Sequence, residues 1–273
     1  TVTGNPFVLL NSSTDTTSGY SLNFDASNDY VSVPGSVMST DELTFETWIY
    51  PKNVNGWRTI RNEVGWSPGK VHFQIRNGLL EFSLHSNSPT DQWFSHNFQA
   101  NIWTHIAVVY EGQNNRVRLY VNGSFAQEKT YSSTRLAEIG NFQFGNWSNS
   151  RPFGGMMSDF RIWNYARTES EIQNNMKISL NGNETGLVGY WKFNEGSGST
   201  LTDLSGNGNN GTIYGATWDA RPRSGNYADY VSGNGSNTLT FDYRVANGNS
   251  SSDLYYLDTT AMILNSGTIT DAS

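Results

Sequence analysis

The sequence predicts an all-β fold, a sandwich of many short strands, and three observations predict it. Aromatic residues make up 14% of the chain and charged residues only 15%, where a typical domain is about a quarter charged. Short apolar–polar alternations recur about every ten residues between Gly, Asn, Asp, Ser and Pro. Only one segment carries a helix-start signature. Wide rings fill a sandwich, and the 27 glycines suit many tight turns. A helix bundle or coiled coil would need Ala, Glu, Lys and Leu at helical spacing. A disordered chain would lack rings enough to bury apolar surface.

The elements follow in order. Strand segments are YSLNF (20–24), YVSVP (30–34), LTFETWIYP (43–51), KVHFQI (70–75) and LLEFSL (79–84). THIAVVY (104–110) and RVRLYVNG (116–123) flank a polar EGQNN and read as a hairpin. FQFGN (142–146), SDFRIWN (158–164) and GLVGYWKF (186–193) continue the series. In 43–50, Leu43, Phe45, Thr47 and Ile49 alternate with Thr44, Glu46, Trp48 and Tyr50, one set for each face of a sheet. Thr168 as cap with Glu171 three residues on predicts a turn or two of helix. One short helix among about a dozen strands predicts a jelly roll.

Charge narrows the partners. Seventeen basic residues against 24 acidic ones give a net −7, which argues against nucleic acid and anionic membranes and suits cation binding or solubility. No apolar run approaches the roughly 18 residues of a membrane helix, and no signal peptide is evident. The chain starts mid-strand in character, so it reads as a piece of a longer one. With no Cys, disulfides and thiolate metal sites are excluded, and a bacterial exported protein is expected.

Several blocks carry a resemblance. YSLNFDASNDYVSVP (20–34), LTFETWIYP (43–51), WTHIAVVYEGQNNRVRLYVNG (103–123), GGMMSDFRIWNYARTESEI (154–172) and the block at 186–218 stand in family order. Residues 20–218 thus resemble a laminin-G-like, concanavalin-A-like jelly roll of bacterial type, related to pentraxins. In many relatives the last block precedes the first, a permutation that requires the module's two ends to lie close together. The Asn-, Ser- and Thr-rich segment 220–273 resembles the second half of an immunoglobulin-like repeat of bacterial repeats-in-toxin (RTX) adhesins. TVTGNPFVLLNSST (1–14) resembles an earlier strand of the same repeat. The resemblance implies a jelly-roll β-sandwich, 19–218, inserted into a second, smaller, split Ig-like β-sandwich made of 1–18 and 219–273. A short tail followed by a separate C-terminal domain is the alternative; 1–18 alone is too short to bury a core.

Three constellations carry candidate chemistry. In DLSGNGNNG, Asp203, Ser205, Asn207 and Asn209 place oxygens at alternate positions of a Gly-rich loop. Ca2+ takes six to eight such donors, with Asp25 and Asp29 as candidate partners. The resemblance implies a structural calcium in several relatives, while the same composition also suits an Asx-turn loop without metal. Asp219, Asp229, Asp242, Asp253 and Asp258 suggest junction calcium or strand-edge charges. The third constellation is aromatic: Trp57, Arg58, Arg61 and Trp66 in 55–69, Trp93 in 91–98, and Asn146, Trp147 and Arg151 in 146–153. Trp planes cover sugar C–H faces, and Arg and Asn direct hydrogen bonds to hydroxyls. The same Trp residues could instead cap the sandwich. Trp48, Trp103, Trp163 and Trp191 lie in strand motifs and are assigned to the core or its margins.

An enzyme is the minority reading. No HExxH, GxSxG or ExDxE pattern occurs, and a glycosidase needs two carboxylates across the scissile bond. The expectation is a non-catalytic, calcium-supported, lectin-like module of an extracellular bacterial cell-surface adhesin. It would bind glycans on host or microbial surfaces, abut neighbouring repeats in the same chain, and stay monomeric without nucleic acid or membrane insertion. A protein- or peptide-binding adhesin module and a purely structural spacer are the alternatives.

Overall fold

The computed structural model describes residues 19–35 and 38–220, together with the strands Phe7–Leu9, Tyr227–Ser232, Thr240–Tyr243 and Met262–Ile263. Asp253 and Asp258 lie outside the described residues. The chain divides into two compact units, Gly19–Asp219 and the pair Thr1–Ser18 with Ala220–Ser273. In the smaller unit the strand order is Thr240–Tyr243, Tyr227–Ser232, Phe7–Leu9, Met262–Ile263. Phe7 pairs with Asp229 on one side and Ile263 on the other, both antiparallel.

The larger unit is a jelly-roll-like sandwich of two antiparallel sheets. The first runs Ser124–Thr130, Arg116–Val121, Thr104–Glu111, Glu42–Pro51, Gly154–Trp163, Ser21–Asp25, Thr217–Asp219, with Leu187–Trp191 also paired to Gly154–Trp163. The second runs Thr200–Leu201, Gly211–Tyr214, Tyr30–Val33, Phe142–Phe144, Trp57–Glu63, Val71–Arg76, Leu79–Leu84, Asp91–Phe94. Phe45, Phe73, Phe82, Phe144, Phe160 and Trp191 are core residues between the sheets. The first and last parts of the unit meet in both sheets, where Ser21 pairs with Asp219 and Val31 with Ile213.

The first sheet is covered on its outer face as well. Leu43, Phe45 and Ile49 enter the core, but Glu46 and Trp48 on the opposite face are also buried. Their cover is the segment around the helix Glu169–Asn175. Thr168 caps this helix with a complete capping box: its hydroxyl accepts from Glu171 N at 3.3 Å, and its own N–H donates to Glu171 Oε2 at 2.7 Å. Trp48 Nε1 donates to Met176 O at 2.9 Å. Glu46 receives Arg167, and Arg161 forks onto Asp159 at 2.6 and 3.0 Å while donating to Asn175 O and Ile178 O. Buried guanidiniums thus tie the helical segment to the sheet, as charge-assisted bonds in low dielectric must if the charges are to be tolerated.

The second sheet keeps a polar outer face. Val71, Phe73 and Ile75 enter the core, leaving His72, Gln74 and Arg76 opposite; Leu80, Phe82 and Leu84 enter it, leaving Glu81 and Ser83 opposite. The register pairs His72 with Ser83, Gln74 with Glu81, Trp57 with Arg76, and Glu81 with Trp93. These paired residues share one face.

Candidate functional site

The outer face of the second sheet carries the site. Its floor is polar and almost fully buried. Gln74 Nε2 donates to Glu81 Oε1 at 3.2 Å, and the Ser83 hydroxyl donates to the same oxygen. Asn62 Nδ2 donates to Gln74 Oε1 at 3.1 Å. Glu81 Oε2 and His72 Nε2 find no hydrogen-bond partner among the described residues. Burial pushes the Glu81 carboxyl up to about 7, opposed by its Ser83 hydrogen bond and reinforced by the charge of Asp91. Burial also holds His72 down to about 3, and the Arg151 and Arg61 charges add to that.

Above this floor runs a chain of rings and guanidiniums. The Trp57 and Trp93 rings lie 5.9 Å apart, with the Arg76 guanidinium 4.4 Å from the first and 5.6 Å from the second. Arg151 lies 4.2 Å from Trp57 and 4.6 Å from Trp147, and donates to Gln74 Oε1 at 3.0 Å. The His72 ring continues the series, 4.9 Å from Trp147 and 4.1 Å from Trp66, which is 38% exposed.

The loop 145–153 positions Trp147 and Arg151, and its local chemistry explains how. Gly145 has φ +80°, and a Cβ there would fall 2.2 Å from the Phe24 ring, so only glycine turns the chain here. Asn146 accepts from Trp147 N at 2.8 Å and Arg151 N at 3.3 Å, an Asx-type closure of the loop. Thr59 N donates to Arg151 O at 3.0 Å, and Trp147 Nε1 donates to Glu63 O at 3.0 Å. Both bonds pin the loop to the strand Trp57–Glu63.

The structure therefore brings together Trp57, Trp66, Trp93, Trp147 and Arg151 of the sequence-derived set. Three residues are corrections. Arg61 is fully buried, pairs with Glu63, and lies 4.1 Å from the Phe142 ring and 4.9 Å from that of Phe45, inside the sandwich. The cause is a register shift between Thr59 and Arg61, since a bulge of one residue turns the following side chains to the other face. Arg58 pairs in register with the core residue Ile75 and donates to the Pro152 and Trp57 carbonyls. Asn146 is 1% exposed and shapes the loop rather than facing outward. Gln74, Arg76, Glu81 and Ser83 went unassigned in the sequence. Their signal was present in the alternation of 70–76 and 79–84, which leaves all of them opposite the core.

The oxygen-rich residues fall into two sets. Asp203 Oδ1 accepts from Tyr190 N, Ser205 N and Ser205 Oγ at 3.1, 2.9 and 2.6 Å; its Oδ2 accepts from Asn209 N and Nδ2 at 3.0 and 3.1 Å. Asn207 Nδ2 donates to Val188 O and Ser205 Oγ. Five donors on one carboxylate make Asp203 an Asx-turn hub, and this donor set does not fit a calcium shell. Asp29 Oδ2 instead accepts from Asp25 N at 2.8 Å, and Asp25 Oδ1 from Ser27 N at 2.8 Å. Among the described residues no three His, Asp or Glu converge as metal ligands. No helix among them is long and apolar enough to cross a membrane.

The fold has known counterparts. A family model of the concanavalin A-like lectin/glucanases superfamily matches residues 25–173. A candidate carbohydrate-binding protein from Bacteroides ovatus is 23% identical with TM-score 0.60, covering 75% of this chain; the chain spans 61% of that structure. A heptameric SAP-like pentraxin from Limulus polyphemus is 15% identical with TM-score 0.47, covering 57% of this chain and 81% of its own. The CBM40 module of Ruminococcus gnavus IT-sialidase, bound to α2,3 sialyllactose, is 12% identical with TM-score 0.47, covering 58% and 96%. No curated protein matches the sequence. With that model spanning more than half of the chain, the protein belongs to the Laminin_G_3 family of the concanavalin A-like lectin/glucanases superfamily.

Proposed function

We propose that residues 19–218 form a non-catalytic, lectin-like module that binds carbohydrate through the face of Trp57, Trp66, Trp93, Trp147 and Arg151. The observation that carries this is the row of half-buried indoles interleaved with guanidiniums above a polar floor. Indole planes match the C–H faces of a pyranose, and fixed N–H donors match its hydroxyls. The description of the Bacteroides ovatus relative as carbohydrate-binding agrees with the reading. We further propose that 1–18 and 219–273 form one split Ig-like repeat of a bacterial cell-surface adhesin, displaying the module outside the cell. The pairing of Phe7–Leu9 with Tyr227–Ser232 and Met262–Ile263 supports it. Weak single sites become strong attachment when many copies engage together.

Catalysis is the second reading, favoured by Glu81, whose carboxyl is pushed up to about 7, where a general acid works. That carboxyl is only 2% exposed, and Oε1 is occupied by Gln74 and Ser83, so it meets no glycosidic bond in this arrangement. Titration of the full chain with a glycan panel, read by calorimetry, tests the proposal. The expected result is saccharide binding without cleavage products, and a loss of about tenfold or more in Trp57→Ala that still unfolds cooperatively, in line with the roughly 0.5–1.5 kcal/mol of an aromatic contact beyond its buried area. No saccharide binding, or an unaffected variant, refutes it.

A further inference from the structure

Five arginines of this module are matched by acids: Arg61, Arg116, Arg118, Arg161 and Arg167 each have a carboxylate within 4.0 Å. Arg58, which donates to backbone carbonyls, and Arg135 have none among the described residues, and neither do Arg76 and Arg151, although the chain is acidic, with 24 Asp and Glu against 17 Lys and Arg. Arg76 and Arg151 crowd the same Trp57 ring, at 4.4 and 4.2 Å. Two like charges so placed repel each other, and burial together with the Arg76 charge pulls the Arg151 pKa down, while the Glu81 and Asp91 charges oppose this. Burial pushes the Glu81 carboxyl up to about 7, so near neutral pH it offsets only part of that charge. Arg151 spends one Nη1 bond on Gln74, and Arg76, exposed, rests only on rings. Their remaining N–H groups form planar forks of the kind that match an oxyanion in two parallel bonds.

We propose that this face selects saccharides carrying an oxyanion, a carboxylate or a sulfate, which Arg76 and Arg151, stacked on Trp57, bind while the neighbouring indoles of the row pack against the sugar ring. The proposal rests on the carbohydrate-binding reading above and names its ligand class. A neutral sugar would leave both guanidiniums without an ion partner, whereas an oxyanion that reaches them relieves their repulsion beside the indoles.

The test is an array of matched glycans in neutral, carboxylated and sulfated forms, probed with the full chain, followed by calorimetry on the best binders. We expect the anionic forms to bind at least about tenfold more tightly than their neutral counterparts, with affinity falling as NaCl rises from about 50 to 500 mM. The carboxylated and sulfated arms tell which oxyanion is preferred. Arg76→Gln is expected to lower anionic affinity about tenfold and neutral affinity far less, so that the anionic preference shrinks, and Arg76→Lys to fall between, because a lysine keeps the charge without the fork. Equal binding of neutral and anionic forms overturns the proposal and leaves the carbohydrate reading standing. Absence of any glycan binding overturns both. Salt-independent affinity, or an Arg76→Gln variant with unchanged preference, overturns the proposal alone.

Discussion

Replacing Glu81 by Gln should make this module more stable above neutral pH and leave it unchanged in acid. An ordinary glutamate carboxyl titrates near 4.5; burial on the second sheet pushes that of Glu81 up to about 7. The native state therefore keeps a proton that the unfolded chain releases between pH 4.5 and 7. The contribution of the protonated carboxyl is fully present below 4.5 and is lost as pH rises through 7. At 1.36 kcal/mol per pH unit, the interval is worth about 3 kcal/mol. A side-chain amide never ionises, so Glu81→Gln should match the wild type at about pH 4 and exceed it by about 3 kcal/mol at about pH 8. In the wild type alone the effect is masked. His72, held down to about 3, loses its contribution as pH falls from 6.5, so the two slopes oppose each other between 4.5 and 6.5. The difference between variant and wild type removes His72 from the comparison. Urea unfolding followed by tryptophan fluorescence measures it, because all nine Trp lie between 48 and 218 and report on this unit only. A stability difference that is the same in acid and in base, or a variant weaker than the wild type in base, would refute the buried, protonated carboxyl.

Two further substitutions probe the framework. Glu46→Ala strands Arg167 in the buried layer beneath the helical segment, leaving Arg161 its fork onto Asp159, and should cost about 3–5 kcal/mol, read as a lowered melting temperature; a loss under about 1 kcal/mol would show that the pair contributes nothing net. Asp203→Ala removes the acceptor of five hydrogen bonds, three of them from backbone N–H groups, and should destabilise by about 2–4 kcal/mol. EDTA should leave the wild-type melting temperature unchanged, and a fall on chelation would restore the calcium expectation.

The parts of the fold legible in the sequence were those set by period and local chemistry. The alternation through 43–50 sends Leu43, Phe45 and Ile49 into the core. Thr168 and Glu171 close the capping box their spacing predicts. The rings at 48, 163 and 191 are buried. What escaped the sequence depends on register and on what covers a face. The strand Trp57–Glu63 reads as a loop because its alternation breaks at the bulge after Thr59, and that break turns Arg61 inward. Asp203 was legible as an oxygen-rich turn, but composition does not distinguish an acceptor of N–H groups from a ligand for a cation; only the direction of the surrounding donors does. Gln74, Arg76 and Glu81 were legible in principle, and became significant only once the loop 145–153 was seen to lay Arg151 and Trp147 over them.

The two sheets handle buried polarity in opposite ways, and the contrast locates the site better than any single residue. On the outer face of the first sheet, Glu46 and Asp159 meet Arg161 and Arg167, and the helical segment seals them with backbone carbonyls at 2.8 and 2.9 Å. Charge there is matched within the chain, as a structural layer requires. On the outer face of the second sheet the cover is a ridge of indoles, and of its two guanidiniums Arg76 is exposed and neither has a carboxylate partner among the described residues. A layer meant only for stability would gain from a carboxylate beside Arg151, and Gln74 at 3.0 Å occupies the place where one would fit. At about pH 5, where the protonated Glu81 carboxyl can donate to the carboxylate that replaces the Gln74 amide, Gln74→Glu should therefore raise the melting temperature by completing that pair and weaken binding of an anionic saccharide by neutralising its receptor. Stability and recognition moving in opposite directions at one position is the behaviour of a surface kept unsatisfied for a ligand. A variant that gained stability with no loss of binding would make this face a structural cover after all.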